Sequence, residues 1–323
     1  MKRLLLSFIL CCRYRRYLVG DQLRKDVQHW LSPPDPSTNH NFVRKARHSG
    51  TASWFFESNE LTAWKATGSL LWIHGKRTFL DSITGALSLL PVDLIIKRGR
   101  ERALFCTWYL YQCFSGLFIV HIRSAIIQDI ERMQTAGLAT IAYYYFDFRD
   151  VKKQDCYGLL SSLISQLSAK SNSCFNILSK LYSENSRGTQ KPDVEALKVC
   201  MTDMLSQPGQ APIYIIVDGL DECPNFPGRP SAREEVLDLI EDLVDLRLLN
   251  VHICVASRPE ADIRMALEPL ASFKISLHDE SGQKEDITAY IKSVVCSDRR
   301  MRRWKEEDKR LVIDTLSEKA DGM

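Results

Sequence analysis

The chain of 323 residues is 45% hydrophobic and 26% charged, an ordinary globular composition with room for one large or two smaller domains and a real core. A net charge of +3 is nearly neutral for this size and excludes a whole-chain bias toward nucleic acid or an acidic partner. The ten cysteines include no CxxC pair and no His at zinc-ligand spacing, which argues against a metal site and reads as free thiols.

In chain order, Lys2 and Arg3 precede an apolar run from Leu4 to Cys12, as in a short signal peptide. Arg13, Arg15 and Arg16 follow where a small-residue cleavage site would stand, so secretion is not expected, and Cys11 and Cys12 are candidates for acylation. Residues 1–50 hold ten Lys or Arg against three Asp, and a short basic amphipathic helix is predicted near 21–31. The Pro-, Ser- and Asn-rich stretch 29–41 reads as a linker, after which the folded domain is expected to begin. Ser58 is a plausible N-cap for a short helix carrying Leu61 and Trp64, and SLLWIHG at 69–75 has the pattern of a buried strand entering a tight turn.

Leu104 to Ile122 runs nineteen residues without a formal charge after the basic run KRGRER, long enough to be a transmembrane candidate. From Ser124 the pattern is regular: Ile126, Ile127, Ile130 and Met133 form a helical stripe, and 139–148 is an aromatic-rich strand. Leu159, Leu160, Leu163, Ile164 and Leu167 mark a further amphipathic helix, followed by helices near 174–183 and 193–206. A continuous apolar strand runs from Ile213 to Val217. A helix at Ala232 to Leu246, strands at 252–257 and 273–277, and helices near 284–295 and 304–319 complete the pattern. Apolar strands alternating with helices predict an α/β fold with a parallel sheet covered on both faces. The expected organisation is a basic helix and linker (1–50), the start of the core (51–76), an atypical segment (77–123), the remainder of the core (124–278) and a helical extension (279–323).

Two motifs carry chemistry. IYIIVDGLDEC, residues 213–223, places Asp218, Asp221 and Glu222 just after a buried strand, at the carboxyl end where parallel sheets bind their ligands. That is Walker B patterning: Asp218 would hold Mg²⁺ through water, and Asp221 or Glu222 would orient an attacking water. The bland alternative is a strand that ends in a solvated acidic turn. ICVASRPE, residues 253–260, is a second buried strand ending in Ser257, Arg258 and Pro259, where an arginine could sense a γ-phosphate or simply sit solvated in a turn. Tyr143, Tyr144 and Tyr145 read as strand residues rather than a base-stacking platform, because no basic groove accompanies them. RRMRRWK at 299–305 reads as a solvated helix face, and His74 as a turn or packing residue.

The runs WFFES…WKATGSLLWIHG, AGLATIAYYYFDFRD, the DGLDE box, the SRPE turn and LHDESGQKEDITAYI together resemble the NACHT domain of fungal STAND proteins of the nephrocystin-like, heterokaryon-incompatibility type. The resemblance implies a P-loop NTPase-like core and nucleotide-gated conformational switching with Mg-ATP or Mg-GTP. It also implies association with related NACHT proteins as homo- or hetero-oligomers, no nucleic-acid partner, and a cytoplasmic location with the membrane as the alternative. Asp218, Asp221, Glu222 and Arg258 stand at the matching positions, and Gly75 at the head of the phosphate loop.

The chain departs from the family at that loop. The family has HGxxGxGK[ST]; here His74, Gly75 and Lys76 are followed by RTFLDSITGAL, and GxxxxGK[ST] occurs nowhere. A P-loop binds phosphate because glycines let successive backbone N–H groups converge on the anion while a lysine neutralises its charge. Without that nest the acids face a polyanion unaided, so tight nucleotide binding is not expected. An intervening sequence, a membrane segment, or a lineage-specific insertion in a degenerate NTPase would each account for 77–123. The alternative to a crippled NTPase is a membrane-tethered or scaffold interaction protein, and the end at ADGM reads as a truncated product.

Overall fold

The computed structural model describes residues 22–36, 53–75, 125–226 and 230–277, and most of 288–320. The expectations for the N-terminal run, for 77–123 and for the Leu104 to Ile122 segment lie outside the described residues. Among the described residues, no helix is long and apolar enough to cross a membrane.

Five strands form one parallel sheet: β1 (Ser69–His74), β2 (Thr140–Tyr145), β3 (Ile213–Asp218), β4 (Val251–Ser257) and β5 (Phe273–Ser276), in the order β2-β3-β4-β1-β5. β3 and β4 are buried at every position, which is why they read as unbroken apolar runs rather than alternating ones. Successive side chains feed two separate cores. Leu70, Trp72, Ile215, Val217, Ile253 and Val255 enter one; Leu71, Ile73, Tyr214, Ile216, Cys254 and Ala256 enter the other.

The first core is covered by α5 (Cys156–Lys170), α6 (Asn172–Glu184), α7 (Val194–Leu205), α8 (Ala232–Asp245) and α9 (Ala261–Leu270). The second lies under α2 (Ser53–Phe56), α3 (Asn59–Thr67) and α4 (125–135), and a Lys65–Asp129 ion pair joins the last two. α10 (Glu306–Ala320) ends the described chain. The predicted stripe on α4 is the buried one, with Ile126, Ile127 and Ile130 inside and Met133 packed against them. Helix starts are fixed by side-chain caps: Ser58 on Leu61 N–H, Asp155 on Gly158, Ser171 on Cys174, Asp193 on Ala196, and a reciprocal Ser231–Glu234 capping box on α8.

The sequence places the start of the folded domain after the Pro-rich linker, and the structure corrects this. α1 (22–31) buries Val27, Trp30 and Leu31 in the first core. The Trp30 indole donates to the Gln190 carbonyl at 2.6 Å and meets Tyr182 edge-on, while the Arg24 guanidinium lies 4.0 Å over the Phe175 ring. Prolines stop the helix from continuing; they do not stop its apolar face from docking.

The sheet's wiring selects one place for a ligand. The connection leaving β1 runs toward β2, and its described part, α4, lies on the second face. The connections leaving β2, β3 and β4 run the opposite way along the sheet on the first face. Right-handed crossovers demand this exchange of faces, and the crevice opens between β1 and β4, outside their carboxyl ends.

Candidate functional site at the carboxyl edge of the sheet

Register brings the singled-out residues to one rim. His74 of β1 pairs with Ser257 of β4 and with Ser276 of β5, and Asp218 of β3 is level with Ala256 and Tyr145. Asp218 is buried at the strand tip, and Gly75 is buried directly beyond His74. The Trp72 indole donates to Ser257 Oγ at 3.0 Å, which ties the ends of β1 and β4 beneath the crevice.

After Asp218 the chain must turn sharply, and Gly219 makes the turn at φ 72°, a left-handed conformation that suits glycine. Its N–H donates to the Ala256 carbonyl at 3.0 Å, and Leu220 is pinned in the core. Leu220–Glu222 then forms a single 3₁₀ turn that displays two acids. Asp221 is engaged at both oxygens: Oδ1 accepts the backbone N–H of Arg258 at 3.0 Å, and Oδ2 forms an ion pair with its guanidinium, 3.0 Å from Nε. The Glu222 carboxylate accepts the N–H of Phe148 at 3.2 Å, holding the loop after β2. In that loop Arg149 grips Asp147 with two bonds of 2.9 and 3.0 Å, and its pKa is raised by this bonding, then by the charges of Asp147 and Glu222.

The structure therefore brings Asp218, Asp221, Glu222 and Arg258 to one edge, and it gives Asp221 and Arg258 to each other. It also exposes a participant that the motifs do not announce. Arg233, in the first turn of α8, is buried and spends its whole guanidinium on this edge. Nε donates to the Cys223 carbonyl at 2.9 Å and Nη2 to the Asp221 carbonyl at 2.8 Å. Nη1 reaches Glu260 at 2.5 Å and Asp262 at 3.1 Å. Burial alone would pull this cation's pKa down, but the bonds to Glu260 and Asp262 outweigh it and the net shift is upward. The only sequence signal is a cation in an otherwise acidic first turn, AREE, where it opposes the helix dipole.

The thiols beside the site are inert. Burial pushes Cys223 and Cys156 up to about 12, and Cys223 donates to the Gln154 carbonyl at 3.1 Å.

Mg²⁺ needs six oxygens in near-octahedral array and keeps several waters. Asp218 offers one carboxylate in the right place, at the tip of a strand next to β4, which borders the switch point. Among the described residues no group of three or more His, Cys, Asp or Glu could hold a metal, so a cation at Asp218 would draw most of its ligands from water and phosphate. The motif GxxxxGK[ST], which would supply the phosphate side, does not occur in the sequence. The residues fit the metal half of a Mg-nucleotide site and do not by themselves fit the whole.

Residues 121–258 match the model of the nephrocystin 3 N-terminal family, a span that holds the acidic loop and closes on Arg258. No curated protein matches the chain. Among solved structures, a chain in the structure of Drosophila ORC bound to DNA aligns with a TM-score of 0.34 and 12% sequence identity. The alignment covers 89% of this chain and 64% of that one, so the present chain spans under two thirds of the latter's length. The part of the chain that carries the acidic loop and the arginine turn is thus similar in sequence to the nephrocystin 3 N-terminal family, and it stands on an α/β parallel sheet.

Proposed function

We propose that this chain is a NACHT-type signalling NTPase module that has kept its metal-side acids and lost its phosphate grip. It binds Mg-ATP or Mg-GTP weakly, hydrolyses it poorly or not at all, and acts through association with related proteins. One observation carries the reading: Asp218 ends a fully buried interior strand next to β4, which borders the switch point, with the Asp221–Arg258 pair spanning the loops after β3 and β4. In the family's logic Asp218 serves the cation, Asp221 and Glu222 the water, and Arg258 the γ-phosphate. Arg258 would have to leave Asp221 to do so, and a polyanion offers it an alternative partner of greater charge.

The reading predicts no saturable calorimetric titration with MgATP or MgGTP below a Kd of about 1 mM, equivalent to roughly 4 kcal/mol of binding. Micromolar binding that disappears in Asp218→Ala would refute the lost phosphate grip. It would restore an ordinary NTPase in its place.

A further inference from the structure

We propose that Arg233 is a positioning residue for the Asp221–Arg258 pair, locking the acidic loop and the arginine turn into one unit that moves together. The inference deepens the functional reading above and rests on it for the role of that pair, while its structural content stands on four bonds.

Arg233 approaches the pair from both sides. Its Nη2 holds the carbonyl of Asp221, the residue whose carboxylate grips Arg258, and its Nε holds the Cys223 carbonyl two residues further on. The carbonyls of the two residues that flank Glu222 are thereby held, and with them the direction in which the 3₁₀ turn aims its acids. On the other side Nη1 takes Glu260, two residues beyond Arg258, and Asp262 at the start of α9. Asp262 in turn accepts from the Asn225 side chain at 2.7 Å, closing a ring through the loop after β3. Only a planar fork with donors at fixed angles serves two carbonyls and two carboxylates at once; a lysine ammonium cannot span them.

The position is costly for α8 itself. A cation in the first turn opposes the helix dipole, and a guanidinium 7% exposed has given up its water. The helix already has a full capping box from Ser231 and Glu234, so it does not need Arg233 to start. What Arg233 joins is two loops that leave neighbouring strands at the candidate site.

The test reads the pair directly and needs no nucleotide. In the full chain, the Arg258 Nε–H and Trp72 Nε1–H signals are assigned by NMR from their loss in Arg258→Lys and Trp72→Phe. Trp72 reports the turn because its indole is bonded to Ser257, next to Arg258. In Arg233→Met the Arg258 Nε–H is expected to exchange with solvent about tenfold faster or more, as an ion pair lost or loosened requires, and the Trp72 signal to move. Arg233→Lys should restore stability in part without restoring either signal.

Glu260→Gln, which keeps an acceptor at the same reach, should leave both signals nearly in place. It also keeps the measurement informative if Arg233→Met does not fold, because Arg233→Lys and Glu260→Gln then bracket the effect. A folded Arg233→Met or Arg233→Lys whose Arg258 and Trp72 signals match the parent would overturn the proposal and leave Arg233 a packing residue. Tight nucleotide binding by the parent would sink the functional reading and leave this coupling standing, so the two failures are distinguishable.

Discussion

Asp221 and Arg258 form one ion pair, yet removing either end should not cost the same. Asp221 is 7% exposed and Arg258 32%. In Arg258→Ala the carboxylate keeps the backbone N–H at Oδ1 but loses its ion-pair partner at Oδ2, and little of it reaches water. Breaking a fully buried pair from one side costs about 3–5 kcal/mol; this pair is part-buried and one bond survives, which places the case below that range, at about 2.5 kcal/mol. In Asp221→Ala the stranded group is a guanidinium already a third in solvent, which water can satisfy. That leaves a lost bond at the Arg258 N–H and a small cavity, together about 1.5 kcal/mol. The double variant should cost less than the two singles combined, because the second substitution removes the stranded partner. Urea unfolding followed by tryptophan fluorescence, with midpoints compared at unchanged slope, measures all three. Equal costs, or a costlier Asp221→Ala, would show that Asp221 is not the buried anchor of the pair, and the reading of the rim as a clamp would fail with it.

His252 is buried, stacked on Tyr214 at 4.3 Å, with Nδ1 3.0 Å from the Trp64 carbonyl. Burial lowers its pKa, so the folded state binds fewer protons than the unfolded one. Its stabilising contribution is whole above the unfolded value of about 6.5 and is lost as pH falls through that value toward the lower folded one; His252→Phe should flatten the decline in urea midpoint between pH 7.5 and 5.5, and an unchanged decline would assign it to other groups. Leu31 is fully buried on α1, so Leu31→Ala should cost about 3 kcal/mol. A loss under about 0.5 kcal/mol, the surface value, would return α1 to the status of a detached leader.

The strands were readable because parallel strands buried on both faces are apolar runs with abrupt ends. β1, β3 and β4 lie within a residue of their expected bounds for that reason. β2 stops sooner than the aromatic run suggests: Phe146 still donates to the Asp218 carbonyl, but Asp147 and Arg149 then turn the chain away. α9 is a helix to which the sequence reading assigns no element, since Pro259 precedes it and Pro269 lies within its last turn. The acids and the arginine were found by their place after buried strands, a local property. Their pairing was not, because Asp221 and Arg258 lie 37 residues apart and meet only when β3 and β4 are neighbours in a particular register. Arg233 leaves only a faint trace, a cation in an acidic first turn, for the same reason: its four partners lie outside its own helix and meet it only in the fold.

The division of labour among the rim's acids bears on what such a site could still do. Asp221 holds Arg258, Glu222 holds the Phe148 N–H, and Glu260 with Asp262 holds Arg233, so each of these carboxylates fastens one segment to another. Asp218 differs in kind, since it sits on the sheet itself, where the backbone ladder with β2 and β4 already fixes its place. A phosphate arriving beyond it would compete with Asp221 for Arg258, and through Arg233 would pull on the loop after β3 and the start of α9 together. Of a cation at the strand tip and a phosphate beyond it, the second is the event that must break the Asp221–Arg258 tie. A module without a P-loop to drive the second event would then rest with the arginine turn clamped.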